Sequence, residues 1–497
     1  MALDLYQDGL LLGPELLLLV GAILIPFLPV TDGGRLRSRL TTFLLFAALV
    51  VVLCMISGDY YDWMGIDATR LPFGVFEVTG FALFFKVVFL SVALLVSLVS
   101  SDYLAERRQA AEYYSLLLLG TLGMMVVASA RDLITLFVGL ETAVVASFTL
   151  AGYRRREAGS SEAAMKFFIV GALSAALTLY GISLVYAVAG TVDLYELATV
   201  LTAGGGTRPA LLVAIAFLIA GFGFEITAVP FHMWAPDVYQ GSPDPVSAYI
   251  SGASKKMGFA AVFKLLFVGL IAFKLQWNLL VGILAVLTMT VANLAALQQT
   301  SLKRILAWSS IAQAGYIMIA IPVGTEFGLT GGFFHIFTHA LMAGGAFILV
   351  AILGARGIGD HLDAYRGLHK REPLAAVTLS LLALSLAGIP PLAGFASKLV
   401  LFGGAIDQGV RADDAWLLFL AVAGIVNSAL SLVYYARIVR TVYVDESEEV
   451  PARMALPWPS VAVLVLLLLA TIVVGVWPKP FYEMSRIAAQ SLLTGLP

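Results

Sequence analysis

"GFEITAVPFHMWAPDVYQGSPDPVSAYISGASKK", Gly223 to Lys256, decides how the chain is read. It sets a carboxylate, a histidine, four prolines and two adjacent lysines inside an otherwise apolar sequence. A membrane helix normally excludes such residues, because buried charges and freed backbone groups both cost free energy. Their presence asks for a function.

The surroundings fix the solvent. The chain has 497 residues, of which 60% are apolar and only 12% charged. A soluble domain of this length needs far more charged surface, so the composition is that of a polytopic membrane protein. A net charge of −2 argues against nucleic acid as a partner. The single cysteine, Cys54, holds no iron–sulfur cluster, zinc site or internal disulfide by itself. The start "MALDLYQDG" is acidic and lacks the basic region of a cleavable signal peptide, so residue 1 is expected to be mature. No loop is long enough to fold a soluble catalytic domain.

Apolar stretches of about 20 residues fall near 12–30, 39–57, 80–101, 113–130, 132–152, 162–188, 208–234, 245–273, 277–298, 302–322, 328–354, 373–405, 415–440 and 456–477. The expectation is an all-α polytopic membrane protein with about 14 transmembrane helices. Spans 4 and 5 meet at Ala130–Arg131–Asp132, which predicts a tight turn. Loop charge tests the count. Numbered alternately, one side collects 17 basic residues and the other 7. By the positive-inside rule the richer side is cytoplasmic, and both termini face outward.

Six basic residues remain inside spans: Lys86, Lys166, Lys255, Lys256, Lys264 and Lys398. With them go the carboxylates Glu141 and Glu225 and the histidines His335 and His339. A lysine at mid-membrane costs roughly 2.5–3.5 kcal/mol, so a set of them demands partners or a watered path. Snorkelling to the interface accounts for Lys86 and Lys264. It fails for Lys255, about 15 Å along the helix from the start of its span. Pro236, Pro243 and Pro245 are expected to end span 7 and start span 8. Pro230 interrupts span 7 itself. His232, two residues later, suits a structural hydrogen bond and a proton relay equally. His335 and His339 lie one helical turn apart, with no third ligand for a metal.

Span 12, "LAGIPPLAGFASKLVLFGG", again joins a lysine to Pro and Gly within a hydrophobic stretch. Interrupted helices five spans apart point to two inverted halves around an ion path. The expected division is 1–112 (spans 1–3), 113–274 (spans 4–8), 275–440 (spans 9–13) and 441–497 (span 14).

The run "AVPFHMWAPDVYQGSPDPVSAYISGASK" resembles the signature of the N antiporter-like subunit of respiratory complex I. "PELLLL" at Pro14–Leu19, "FALFFKVVFL" at Phe81–Leu90, "LKRILAWSSIAQAGY" at Leu302–Tyr316 and "LSLAGIPPLAGFASK" at Leu384–Lys398 agree with it, as does "SEAAMKFFIVGALSAALTLYG" around Lys166. "FHIFTHALMAGGAF" at Phe334–Phe347 is similar instead to span 11 of the related M-type subunits. The resemblance implies an antiporter-like fold with broken helices 7 and 12 and a midplane path of titratable groups. Glu141 and Lys166 would tune the first half, Lys255 would be the central relay and Lys398 its counterpart in the second half. Where the family has a lysine ahead of "VPFH", this chain has Glu225, so the usual lysine–glutamate pair cannot form. Glu225 could still carry protons, or could neutralise Lys256. Whether Lys255 or Lys256 faces the path stays open.

The implied function is a proton-translocating membrane-arm subunit of a complex I-type quinone oxidoreductase, seated among other membrane-arm subunits in a prokaryotic plasma membrane. Quinone, flavin and iron–sulfur clusters are then expected on partner subunits and no cofactor on this chain. The alternatives are a cation/proton antiporter or membrane-bound hydrogenase subunit, and a scaffold that moves no ions.

Overall fold

The computed structural model describes residues 5–28, 35–67, 69–104, 110–203, 209–445 and 455–494. Of the loop charges counted above, Arg107, Arg108, Arg208 and Arg453 lie outside the described residues, as do the first four residues. The described chain is all-helical; its extended pairing amounts to three isolated bridges.

Four helices open it: α1 (Leu5–Leu11), α2 (Gly13–Leu24), α3 (Arg35–Ser57) and α4 (Gly80–Tyr103). The next group is α5 (Ala110–Ser129), α6 (Leu133–Ala151), α7 (Ala158–Ala189), α8 (Pro209–Glu225), α9 (Ala235–Gly241), α10 (Asp244–Tyr249) and α11 (Lys255–Lys264). Then come α12 (Lys274–Leu297), α13 (Leu302–Met318), α14 (Glu326–His339), α15 (Gly345–Gly354), α16 (Pro373–Ala387), α17 (Ala393–Arg411) and α18 (Ala415–Tyr443). Helices α19 (Trp458–Val476) and α20 (Lys479–Thr494) finish the chain. Helix α20 is amphipathic, was not anticipated, and packs on α4, where Ser491 Oγ accepts from the Phe81 amide at 3.1 Å.

Among the described residues, ten helices are long and apolar enough to cross a membrane, or eleven if the 85° bend between Leu5–Leu11 and Gly13–Phe27 lies within one span. The expected 14 is not reached by unbroken apolar helices, because two of the apolar stretches are broken and a third carries three lysines within it. Stretch 208–234 breaks after Glu225, 373–405 breaks after Ala387, and 245–273 carries two π-helical turns, Ile250–Ser254 and Leu265–Gly269. Pro236 does not end span 7: it sits in the first turn of α9, where its missing N–H costs nothing, and the span continues through it. The turn at 130–132 is as expected. Asp132 caps α6, accepting from the amides of Ile134 and Thr135.

Small residues set the packing. A Cβ added at Gly123 would lie 2.6 Å from the Gly139 carbonyl oxygen, so α5 and α6 meet backbone to backbone, as glycine allows in membranes. The span Leu302–Val323 is 94% buried and Arg35–Ser57 only 28%, which puts α13 at the centre and α3 at the rim.

Candidate functional site

The breaks come from sequence. Helix α8 stops at Glu225, Thr227 takes a left-handed φ of 58°, and the Val229–Pro230 bond is cis. Beyond it, the Val229 amide donates to Thr288 Oγ1 of α12 at 2.9 Å, and the Trp234 indole donates to the Phe224 carbonyl at 3.3 Å. In the other break α16 stops at Ala387, Gly388 supplies a φ of 92°, and Pro390–Pro391 is cis. Here Lys398, reaching back from α17, donates to the carbonyls of Leu386 at 2.7 Å and Ala387 at 3.4 Å. An ammonium capping a half-helix C-terminus meets both orphan carbonyls and the negative end of the dipole.

Between the breaks, α11, α14 and α17 bring five basic groups together. Lys255 is buried, donates to Ser310 Oγ at 2.8 Å and lies 5.4 Å from the Tyr239 ring. Lys256 is also buried and turns back to the Ser251 carbonyl at 2.5 Å, within the π-helical turn. His339 stacks on His335 at 6.3 Å, and neither of its ring nitrogens has a hydrogen-bond partner among the described residues. Lys256, His335, Lys255 and Lys398 all lie within electrostatic reach of His339. A second π-helical turn, Ala340–Gly344, follows His339 at once and crosses the first at Gly252 and Gly344. A Cβ at Gly344 would stand 3.2 Å from the Gly252 Cα. The crossing therefore needs two glycines.

His335 leads on to Lys398. Its Nε2 lies 2.9 Å from Gln313 Oε1 and its Nδ1 2.9 Å from Ser397 Oγ. Because an amide oxygen only accepts, Nε2 carries the hydrogen in the neutral ring and Nδ1 accepts from Ser397. Thr338 Oγ1 donates to Ser397 Oγ at 2.8 Å. Next in sequence, the Lys398 ammonium reaches Ser428 Oγ at 2.9 Å and lies 5.0 Å from the Tyr316 ring.

The first half is different in sign. Glu225 is buried, and the charged group near enough to act on it is Glu141, which is half-buried. Gly258 of α11 backs directly onto Glu225: a Cβ there would lie 2.7 Å from the Glu225 Cβ. Lys256 has the Ser251 carbonyl as its partner, and no ion pair joins it to Glu225 among the described residues.

Two expectations are overturned. Lys166 does not pair with Glu141. It is 41% exposed and bridges Glu162 at 2.7 Å and Asp237 at 2.5 Å, and Arg304 holds the other oxygen of Asp237 at 2.8 Å. Helical direction explains this, since Lys166 faces α9 across the break. Nor do Lys86 and Lys264 snorkel. Both are buried, Lys86 at 2.6 Å from Glu15 and Lys264 at 2.6 Å from Glu77, because the segment before α4 covers the end of α11. Removing one partner of such a pair costs roughly 3–5 kcal/mol. His232 packs against the Trp308 ring at 5.3 Å, on the Lys255 side.

Sequence reading passed over Glu77, Asp237, Gln313, Ser310 and Ser397. A signal existed for the first two: Lys264 and Lys166, lysines within apolar spans, each called for a carboxylate. For the neutral groups there was none, because Ser and Gln in a membrane helix carry no charge to account for.

The comparisons agree with this architecture. A family model described as NADH:quinone oxidoreductase/Mrp antiporter, transmembrane, matches residues 130–431. The F(420)H(2) dehydrogenase subunit N of Methanosarcina mazei is 41% identical over 98% of this chain and 99% of its own. The NADH-quinone oxidoreductase subunit N of Desulforamulus reducens is 42% identical over 84% of this chain and 86% of its own. Among solved structures, a chain of respiratory complex I from Thermus thermophilus superposes with a TM-score of 0.77 at 32% identity, covering 95% of this chain and 98% of that one. The chain belongs to the NADH:quinone oxidoreductase/Mrp antiporter transmembrane family.

Proposed function

We propose that the chain is a proton-translocating membrane-arm subunit of a complex I-type quinone oxidoreductase. The observation that carries this reading is the unbroken basic series Lys255/Lys256, His339, His335, Lys398, buried between two broken helices. Such a set is costly in a membrane and serves no fold that apolar residues would not serve better. Like charges at close range cannot all be ionised, so a proton arriving at one lysine favours departure from the next. Serial discharge of this kind moves charge along the membrane without moving a helix far.

In this reading Glu141 and Glu225 form a carboxyl pair that loads the first half, in place of a glutamate–lysine pair. Lys166 stands apart, in the Glu162–Asp237–Arg304 cluster, and holds α9 rather than carrying the proton. Residues 113–274 and 275–440 are the two inverted halves, with 1–112 and 441–497 flanking them. The high identity to N subunits of two dehydrogenases supports a place beside other membrane-arm subunits. Flavin, iron–sulfur clusters and quinone then belong to those partners. The loop charges support a prokaryotic plasma membrane with both termini outside.

Lys255→Ala tests the reading in the intact assembly reconstituted into vesicles. Coupled proton uptake should fall about a hundredfold, the low end for loss of a proton-transfer group, with subunit composition unchanged. Near-normal uptake in a fully assembled variant sinks the assignment.

A further inference from the structure

On the arginine-rich side of the molecule, a cavity of about 420 Å³ opens between the end of α12 and α18, lined by Leu297, Val433, Tyr434, Ala436, Arg437 and Arg440. Its charge is unbalanced. Arg437 donates to the carbonyls of Leu297, at 3.2 Å, and Gln299, and no carboxylate lies within ion-pair distance of it among the described residues. Its Nε is buried without a hydrogen-bond partner. Arg440 meets Asp445 at 3.1 Å, but its side chain is 72% exposed, and a pair so open to water contributes little. The cavity therefore presents about one uncompensated positive charge on rigid helical backbone.

The floor is apolar and continues away from the arginines. Leu287 and Leu294 on α12 and Val426 and Val433 on α18 are all exposed, two to three turns of outward-facing hydrocarbon leading into the membrane. One end of the groove asks for an anion and the rest for an alkyl chain. A proton port is the wrong occupant, since two guanidinium groups repel cations. A soluble anion uses the arginines and leaves the apolar run unexplained. We infer that this groove binds an anionic phospholipid, with the headgroup phosphate on Arg437 and Arg440 and an acyl chain between α12 and α18. Guanidinium is suited to the task, matching phosphate oxygens through paired N–H donors, and basic pockets between helices on the positive side favour acidic headgroups. The site is independent of the proton path and needs no redox partner.

The test uses the whole assembly, purified in mild detergent, with its retained lipids counted by mass spectrometry. The variants are the double substitution Arg437→Gln/Arg440→Gln, which removes charge, and Ala436→Trp, which fills the groove and leaves the charge in place. Each should lose one tightly held acidic phospholipid per complex. Arg411→Gln, an exposed arginine remote from the groove, should lose none. Delipidated wild type is then titrated with dioleoylphosphatidylglycerol, dioleoylphosphatidylcholine and inorganic phosphate. The acidic lipid should bind about fivefold tighter than the zwitterionic one, as about one uncompensated charge worth ~1 kcal/mol provides, and phosphate should not displace it. Equal retention in wild type and both groove variants overturns the inference. So does indifference between the two lipids, displacement by phosphate, or an assembly structure in which a neighbouring subunit fills the groove.

Discussion

The two broken helices end alike and are capped by opposite chemistry. At the end of α16 a full ammonium, Lys398, binds two carbonyls of the last turn. At the end of α8 the terminal residue is itself a carboxyl group, Glu225, and the carbonyl of Phe224 is met by the Thr227 amide and the neutral indole of Trp234. A helix C-terminus carries about half a negative charge, so it favours the lysine and opposes an ionised glutamate. The difference teaches that a break is not tied to one titratable group. Proline, a left-handed residue and a donor are enough to build it, and the charge placed there is free to vary. What does not vary is that the ionisable group lies against the break.

Lys398→Ala tests the stronger half of that comparison and carries the largest expected effect. It removes a carrier and three hydrogen bonds together. Proton uptake should fall about a hundredfold, and thermal stability should drop by about 1 kcal/mol, since the Leu386 and Ala387 carbonyls lose the ammonium but keep Gln313 and Ser428 as donors. Uptake at the wild-type rate from an assembled variant would remove Lys398 from the path and leave it as a cap alone.

Glu225 separates the halves further. Glu225→Gln keeps shape and cannot titrate, so pumping should fall several-fold with assembly intact. Glu225→Lys makes the first break resemble the second: the cation suits the helix end and gains Glu141 as a partner, worth roughly 0.3–1 kcal/mol from the dipole alone. It should pump better than the glutamine variant. Gly258 limits the room available, so Glu225→Arg is the control expected to fail on size. Full pumping by Glu225→Gln ends the idea that this carboxyl carries protons.

Much of this was legible beforehand because charge in a hydrophobic sequence is conspicuous. Both breaks follow from Pro230 and from Pro390–Pro391, and the buried set Glu225, Lys255, Lys256, His335, His339 and Lys398 stands out in apolar helices. Partners were harder to read. Lys166 was matched with Glu141 and in fact meets Asp237, since sequence fixes depth but not which face of α7 looks toward α9. Lys264 was assigned to the interface by its position near the end of a span, but the segment carrying Glu77 folds over that end. The direction of Lys255 and Lys256 depended on a π-helical turn, which shifts the helical phase and has no sequence signature. The hydrogen-bonded bridge through Gln313 and Ser397 was invisible for another reason: neutral polar residues are common in membrane helices and single out nothing.

The smallest effect concerns the neutral cap, and it tells whether the two breaks differ in mechanism or only in strength. Trp234 stacks on Phe167 at 4.3 Å and leans on Phe224 at 4.9 Å, so its ring is held by packing independent of the indole N–H. Trp234→Phe keeps an aromatic ring there and deletes the indole's bond to the Phe224 carbonyl, which still accepts from the Thr227 amide at 3.0 Å. That bond is long, 3.3 Å, and the carbonyl keeps its Thr227 partner, so the loss is that of one weak hydrogen bond, about 0.5 kcal/mol. The thermal midpoint of the purified assembly should fall slightly, and proton uptake per assembled complex should stay at the wild-type level. If cap and carrier are separate at the first break, stability moves and transport does not. A drop in uptake as large as that of Glu225→Gln would mean that the indole sets the position of Glu225, and that the first break, like the second, joins capping to proton transfer in one unit.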